Sequence, residues 1–130
     1  MPESLHMLLV EPQPLLRKTV SMTARSLGLG TVHEAASVQA AERLLRERGF
    51  DGAVISIDCA DGVDLALLDR VRAGQSASDA AMPIAVMVEQ ATTELMHALR
   101  ERKVSRVILK PFRAKILLEA FAALGAGPQR

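Results

Sequence analysis

Short unbroken apolar runs alternate along this chain with stretches where apolar residues recur every three or four positions, so the dominant period switches between strand and helix. Leu5 to Val10 is an apolar run that stops at a cluster of prolines and reads as a buried strand. Pro14 suits the first position of a helix, where its missing N–H would be unpaired anyway. Leu16, Val20, Thr23 and Leu27 then follow at helical spacing and predict the inward face, with Gly28 as the stop. Thr31 to Glu34 reads as a short strand. Ser37 is placed to cap a second helix that turns Val38, Ala41, Leu44 and Leu45 inward and ends by Gly49.

Gly52 to Ile57 reads as the third strand. Leu65, Leu68 and Val71 continue as a helix to Gly74, and residues 74–81 form a polar, small-residue loop. Pro83 to Val88 is almost wholly apolar, as a strand covered on both faces should be. Thr92 or Thr93 opens a fourth helix carrying Leu95, Met96 and Leu99, and Val104 to Leu109 is a fifth strand. The last helix runs from Phe112 to Leu124 with Ile116, Leu117, Ala120, Phe121 and Leu124 on one face.

Five strand-then-helix repeats predict an α/β fold, a parallel sheet with helices on both faces and right-handed crossovers. At this length the expectation is a flavodoxin-like, doubly wound, five-stranded sheet of order 2-1-3-4-5 with five helices. It forms one domain over residues 1–125, with a frayed tail at 126–130. In such a sheet ligands bind beyond the carboxyl ends of the strands, here just after Val10, Ile55, Val88 and Leu109.

Composition narrows the class. A chain of 130 residues with 49% hydrophobic and 24% charged residues is a soluble globular protein large enough to hold its own core. The single Cys59 rules out an internal disulfide and suits a reducing compartment. The apolar stretch Ala80 to Val88 is too short to span a bilayer and contains Pro83, and Met1 to Ser4 does not open a signal peptide. The expected location is therefore cytoplasmic, with no membrane partner. A net charge of +1, no Trp, no Tyr and three Phe argue against DNA as a partner.

The predicted strand ends read Glu11-Pro12, Ser56-Ile57-Asp58, Val88-Glu89 and Lys110-Pro111. With these the chain resembles the receiver domain of bacterial response regulators, the phosphorylated switch of histidine-kinase pathways. Leu8-Leu9-Val10-Glu11 followed by Pro14-Leu15-Leu16-Arg17 is similar to that family's first strand and helix. Met82-Pro83-Ile84 is similar to its fourth strand, and Val107-Ile108-Leu109-Lys110-Pro111-Phe112 to its most diagnostic signature. The resemblance covers essentially the whole chain.

The resemblance implies a site in which two acidic residues ending the first strand and an aspartate ending the third hold Mg²⁺. The aspartate takes a phosphoryl group from a kinase histidine, while the metal and a lysine offset the developing charge. A Thr or Ser on the fourth strand and an aromatic residue on the fifth then respond. Position by position, Glu11 matches the first acidic residue, but Pro12 falls on the second and carries no carboxylate. An ungapped match through residues 50–73 puts Ser56 at the phosphoacceptor position. Asp58 lies two residues on, where the family offers a backbone carbonyl to the metal. Ala60 and Asp64 replace the usual Pro and Gly of the following loop. Val88 takes the hydroxyl position and Val107 the aromatic one, while Lys110-Pro111 is retained, with a peptide bond that is normally cis in the family.

Glu11 and Lys110 alone sum to zero charge, so the expectation is a structural Glu11–Lys110 pair, no cofactor and no bound metal. If Asp58 turns inward the sum is −1 and weak Mg²⁺ binding through Glu11 and Asp58 survives. Ser56 as a nucleophile would need an adjacent base, and none is predicted, so it reads as a small buried filler and the chain as a non-enzyme. Cys59 reads as a packed loop thiol. His97 lies on the wrong architecture for a phosphotransfer histidine, and His6 and His33 lack metal-ligand spacing.

Residues 100–115 hold Arg100, Arg102, Lys103, Arg106, Lys110, Arg113 and Lys115 against one acid, Glu101. The resemblance makes this face, from the fourth helix through the fifth strand to the fifth helix, an output and dimerisation surface. It could be solvated charge, the seat of an acidic protein partner, or a site for a phosphate-bearing ligand such as a cyclic dinucleotide. Three functions follow. The first is a stand-alone degenerate receiver with no output domain. It would act as a phosphorylation-independent adaptor that binds a histidine kinase, a phosphotransferase or another signalling protein, as a monomer or a homodimer. The second is an active single-domain regulator phosphorylated on Asp58. The third is an anionic-ligand sensor using the basic face.

Overall fold

The computed structural model describes residues 5–28, 30–111 and 113–125. Met1 to Ser4, Phe112 and the expected tail at 126–130 lie outside these residues. The strands are β1 (His6–Val10), β2 (Thr31–Ala35), β3 (Gly52–Ser56), β4 (Ile84–Val88) and β5 (Arg106–Leu109). The helices are α1 (Pro14–Ser26), α2 (Val38–Glu47), α3 (Ala66–Arg72), α4 (Thr93–Glu101) and α5 (Ala114–Gly125). The strands pair in parallel in the order β2-β1-β3-β4-β5. This is the doubly wound arrangement that the alternating pattern predicts.

Period-two alternation divides each buried strand between two cores. Leu8, Val10, Ile55, Val86 and Val88 pack with Leu45 of α2, Leu68 of α3 and Leu99 of α4. Met7, Leu9, Val54, Ala85 and Met87 face the other way, onto Val20 and Ala24 of α1 and Leu117 and Phe121 of α5. Because β3 and β4 are buried on both faces, their sequences are continuous apolar runs rather than alternating ones.

Local chemistry fixes the ends. The Ser37 hydroxyl accepts the Ala40 N–H at 3.1 Å and caps α2. Thr92, rather than Thr93, caps α4, its oxygen accepting the Leu95 N–H at 3.1 Å. Asp64 caps the turn into α3 by accepting the Ala66 N–H at 2.9 Å. After β3 the chain adds a short antiparallel ladder that the apolar pattern does not predict, Asp58–Cys59 with Gly62–Val63. Gly62 closes it at φ 123°, a backbone region that side chains rarely enter.

Two expected core positions are corrected. Leu27 is 63% exposed because α1 ends at Ser26, so this residue lies beyond the last turn that faces the sheet. Ile116 is 41% exposed, at the rim of the stripe formed by Leu117, Ala120, Phe121 and Leu124.

Arg72 ties the lower edge together. Its guanidinium donates to the carbonyls of Ala80 at 2.8 Å, Met82 at 2.7 Å, Arg102 at 2.7 Å and Lys103 at 3.3 Å. The first two belong to the approach to β4 and the other two to the end of α4. Arg102 in turn pairs with Asp69 of α3 at 2.6 Å.

Candidate functional site

The carboxyl ends of β1, β3 and β5 bring Glu11, Ser56 and Lys110 together. Parallel pairing does this: Val10 lies beside Ile55 and Val88 beside Leu109, so the residues that follow each strand converge. Lys110 is held by its own backbone, whose N–H donates to the Val88 carbonyl at 2.9 Å, and the Lys110-Pro111 peptide bond is cis. Its ammonium donates to the Ser56 hydroxyl at 2.6 Å. It also lies 3.5 Å from an Asp58 oxygen and 3.8 Å from Glu11 Oε1.

Each carboxylate has further ties. Glu11 is 2% exposed, and its Oε2 accepts the Gln13 N–H at 3.0 Å. Among the described residues its buried Oε1 has no hydrogen-bond partner, leaving the Lys110 ammonium as its counter-charge. Arg17 clamps the same turn from outside. It donates to the Glu11 carbonyl at 2.8 Å and pairs with Glu34 at 3.3 Å. Both Asp58 oxygens face the Glu89 N–H, at 3.1 and 3.3 Å, so the start of the short ladder is tied to the end of β4.

Asp58 therefore turns towards the lysine, and three ionised groups meet where the simplest expectation had two. Their formal sum is −1. The residues nevertheless fit a divalent ion poorly. Mg²⁺ takes an octahedral set of oxygens at about 2.1 Å. Here an ammonium stands among the available oxygens, and Glu11 Oε2 and both Asp58 oxygens already accept backbone N–H groups. Among the described residues, no group of three or more His, Cys, Asp or Glu side chains is arranged to hold a metal ion.

Lys110 is not a base for Ser56. The lysine is the donor in their contact, and a donating ammonium has no lone pair with which to take the hydroxyl proton. An open cleft of about 530 Å³ adjoins the site, lined by Glu11, Gln13, Leu16, Glu89, Lys110 and Pro111.

The remaining sequence-predicted positions fall as follows. Pro12 is exposed beside Glu11, and Val88 is 1% exposed with its side chain in the core. Val107 is half-buried against the same core cluster. Cys59 is exposed, which corrects the expectation of a packed thiol: the short ladder projects it away from the sheet. His97 is exposed on α4. His6 and His33 meet each other, Nδ1 to Nε2, at 3.0 Å. Of the basic set, Arg100, Lys103, Arg106, Arg113 and Lys115 are exposed. Arg102 is not free to meet a partner because Asp69 holds it, and Lys110 belongs to the pocket.

Several contacts carry no sequence signal. Nothing in the spacing announces that Arg17 seals the Glu11 turn or that Glu89 offers its N–H to Asp58.

No protein-family model matches the chain, and no curated protein matches it. Solved structures do. The non-phosphorylated HemR receiver domain from Leptospira biflexa superposes with a TM-score of 0.81 at 22% identity, covering 96% of this chain and 97% of that one. The chemotaxis protein CheY4 of Vibrio cholerae gives 0.79 at 19% identity, covering 94% and 99%. HP1043, an orphan response regulator of H. pylori, gives 0.78 at 21% identity, covering 95% and 99%. The chain thus has the fold of response-regulator receiver domains over almost its whole length.

Proposed function

We propose that the chain is a degenerate receiver of two-component or phosphorelay signalling, a cytoplasmic adaptor that binds its partners without accepting phosphate and is not an enzyme. The observation that carries this reading is the 2.6 Å contact from Lys110 to Ser56. At the position where the resemblance expects a nucleophilic carboxylate there is a hydroxyl, already bonded to the one lysine of the pocket. Pro12 and Val88 supply neither the second carboxylate nor the second hydroxyl. The ammonium takes the central place among the oxygens, so Mg²⁺ is not bound in the millimolar range.

The partner on this reading is a histidine kinase, a phosphotransferase or another signalling protein. The exposed Arg100, Arg106, Arg113 and Lys115 suit an acidic protein surface. Phe50 and Phe121 are both buried, so neither offers a ring on which a cyclic dinucleotide could stack. Association as a homodimer would set two basic faces against each other, which favours a monomer or a heterologous complex.

A second reading rests on the approach of Asp58 to Lys110 at 3.5 Å: this carboxylate is the acceptor, and the chain is an active single-domain regulator. Incubation with acetyl phosphate and Mg²⁺, read by intact mass, separates the two. An unchanged mass supports the adaptor. Addition of one phosphate that disappears in Asp58→Asn establishes the regulator instead.

A further inference from the structure

At the opposite edge of the sheet from Ser56, a cleft of about 700 Å³ opens beneath the amino ends of β4 and β5. That volume is in the range of small-molecule pockets, about 300–1,000 Å³. Its walls are apolar: Ala81 and Pro83 on one side, Ala120, Ala123 and Leu124 of α5 on the other. Its charged lining is Arg72, Arg102, Lys103 and Arg106 against one carboxylate, Glu101. Arg102 is matched by Asp69, which leaves the cleft two cations in excess.

We infer that this cleft binds a small amphiphilic anion, a phosphate or carboxylate on an apolar body, with Lys103 and Arg106 meeting the charge.

Two independent features support a built site. The first is Arg72. Its bonds run to carbonyls on both lips of the cleft, at Ala80 and Met82 and at Arg102 and Lys103. Among the described residues it has no carboxylate within ion-pair distance. It therefore braces the opening and adds an unneutralised charge to its floor. Burial draws this guanidinium below the usual arginine value, as expected of a charge held partly away from water.

The second feature is Lys103, the one non-glycine residue with positive φ among those described, at 56°. It ends α4 in a Schellman turn, its N–H donating to the Arg100 carbonyl at 3.0 Å and the Val104 N–H to the Leu99 carbonyl at 3.1 Å. Glycine is the inexpensive residue in that conformation, and a side chain there costs about 1 kcal/mol. A strained residue is retained where it serves a contact, and Lys103 stands on the cleft's rim. None of this depends on how the Ser56 pocket is read. Arg100, Arg113 and Lys115 do not line the cleft, which shares only Arg102, Lys103 and Arg106 with the basic face.

The test is a titration of the ¹⁵N-labelled full chain with phenyl phosphate and with benzoate, and separately with inorganic phosphate and with phenol. The expected result is saturable amide shifts at Ala81, Ser105, Arg106 and Ala123 with the first pair, at least about tenfold weaker with the second. Arg106→Gln and Lys103→Gly should each weaken binding about fivefold or more, while Lys103→Gly leaves the melting temperature equal or higher. Three results overturn the proposal: shifts that track Ser56 and Lys110 instead, no saturation below about 10 mM, or undiminished binding by Lys103→Gly. A lower melting temperature for Lys103→Gly would remove the argument from strain and count against it as well.

Discussion

The Lys110 ammonium donates to the Ser56 hydroxyl at 2.6 Å, a link between residues 54 positions apart in the chain that closes the carboxyl edge of the sheet. Restoring a carboxylate at this point should not restore phosphorylation. Ser56→Asp supplies a nucleophile, but Pro12 still contributes no metal ligand and Val88 is buried in the core without a hydroxyl. Acetyl phosphate and Mg²⁺ are expected to leave the mass of Ser56→Asp unchanged. Robust labelling of that single variant would show that the missing ligands are dispensable.

Removing the lysine should be costly in a diagnostic way. Lys110→Met leaves Glu11, 2% exposed, with a buried charge and no counter-ion, a loss of about 3 kcal/mol by comparison with other broken buried pairs. Adding Glu11→Gln removes the stranded charge and should recover at least half of the loss in urea denaturation. The single variant is also expected to gain stability from millimolar Mg²⁺, while the parent does not, because binding to the native state alone raises the midpoint.

The His6–His33 contact predicts a pH dependence. Burial, then the Arg48 charge, then the His6 ring hold His33 below its ordinary value of 6.5. The folded state therefore resists a proton that the unfolded chain accepts. Its contribution to stability is complete above pH 6.5 and declines as the pH falls from there through the lower folded value. Urea midpoints measured across that window should fall for the parent and fall less for His33→Gln. Parallel curves would assign the acid sensitivity to the carboxylates instead.

Arg72 makes the clearest structural prediction. Arg72→Met keeps the aliphatic stem but frees four carbonyls, at Ala80, Met82, Arg102 and Lys103. Hydrogen bonds from a charged donor contribute about 1.5–3 kcal/mol each but not additively, and the carbonyls can turn to water, so a net loss of about 2 kcal/mol is expected. Hydrogen exchange should rise first at the end of α4 and in the approach to β4. A uniform rise across the sheet would mean that the guanidinium supports the whole domain rather than this corner.

The fold was legible because burial writes a periodic signal. Each buried strand faces two helical layers, so Leu8-Leu9-Val10 and Ile84-Ala85-Val86 are unbroken apolar runs, and helical spacing exposes the stripes on α2, α4 and α5. Errors came at ends, where one residue leaves the sheet's reach: Leu27 follows the last turn of α1, and Ile116 lies on the rim of α5. The meeting of Glu11, Ser56 and Lys110 was legible too, because parallel register delivers strand ends to one edge. The inward turn of Asp58 was readable only as one of two alternatives. It depends on the Asp58–Val63 pairing and on the Glu89 N–H, and neither leaves a mark in hydrophobic spacing. The Arg72 brace was invisible for the same reason: its acceptors are backbone carbonyls, which every residue has.

A positive charge supplied by a side chain cannot be stripped by a chelator or lost on dilution, as a dissolved ion can. On the adaptor reading, Lys110 thus gives this corner a counter-charge that belongs to the chain itself.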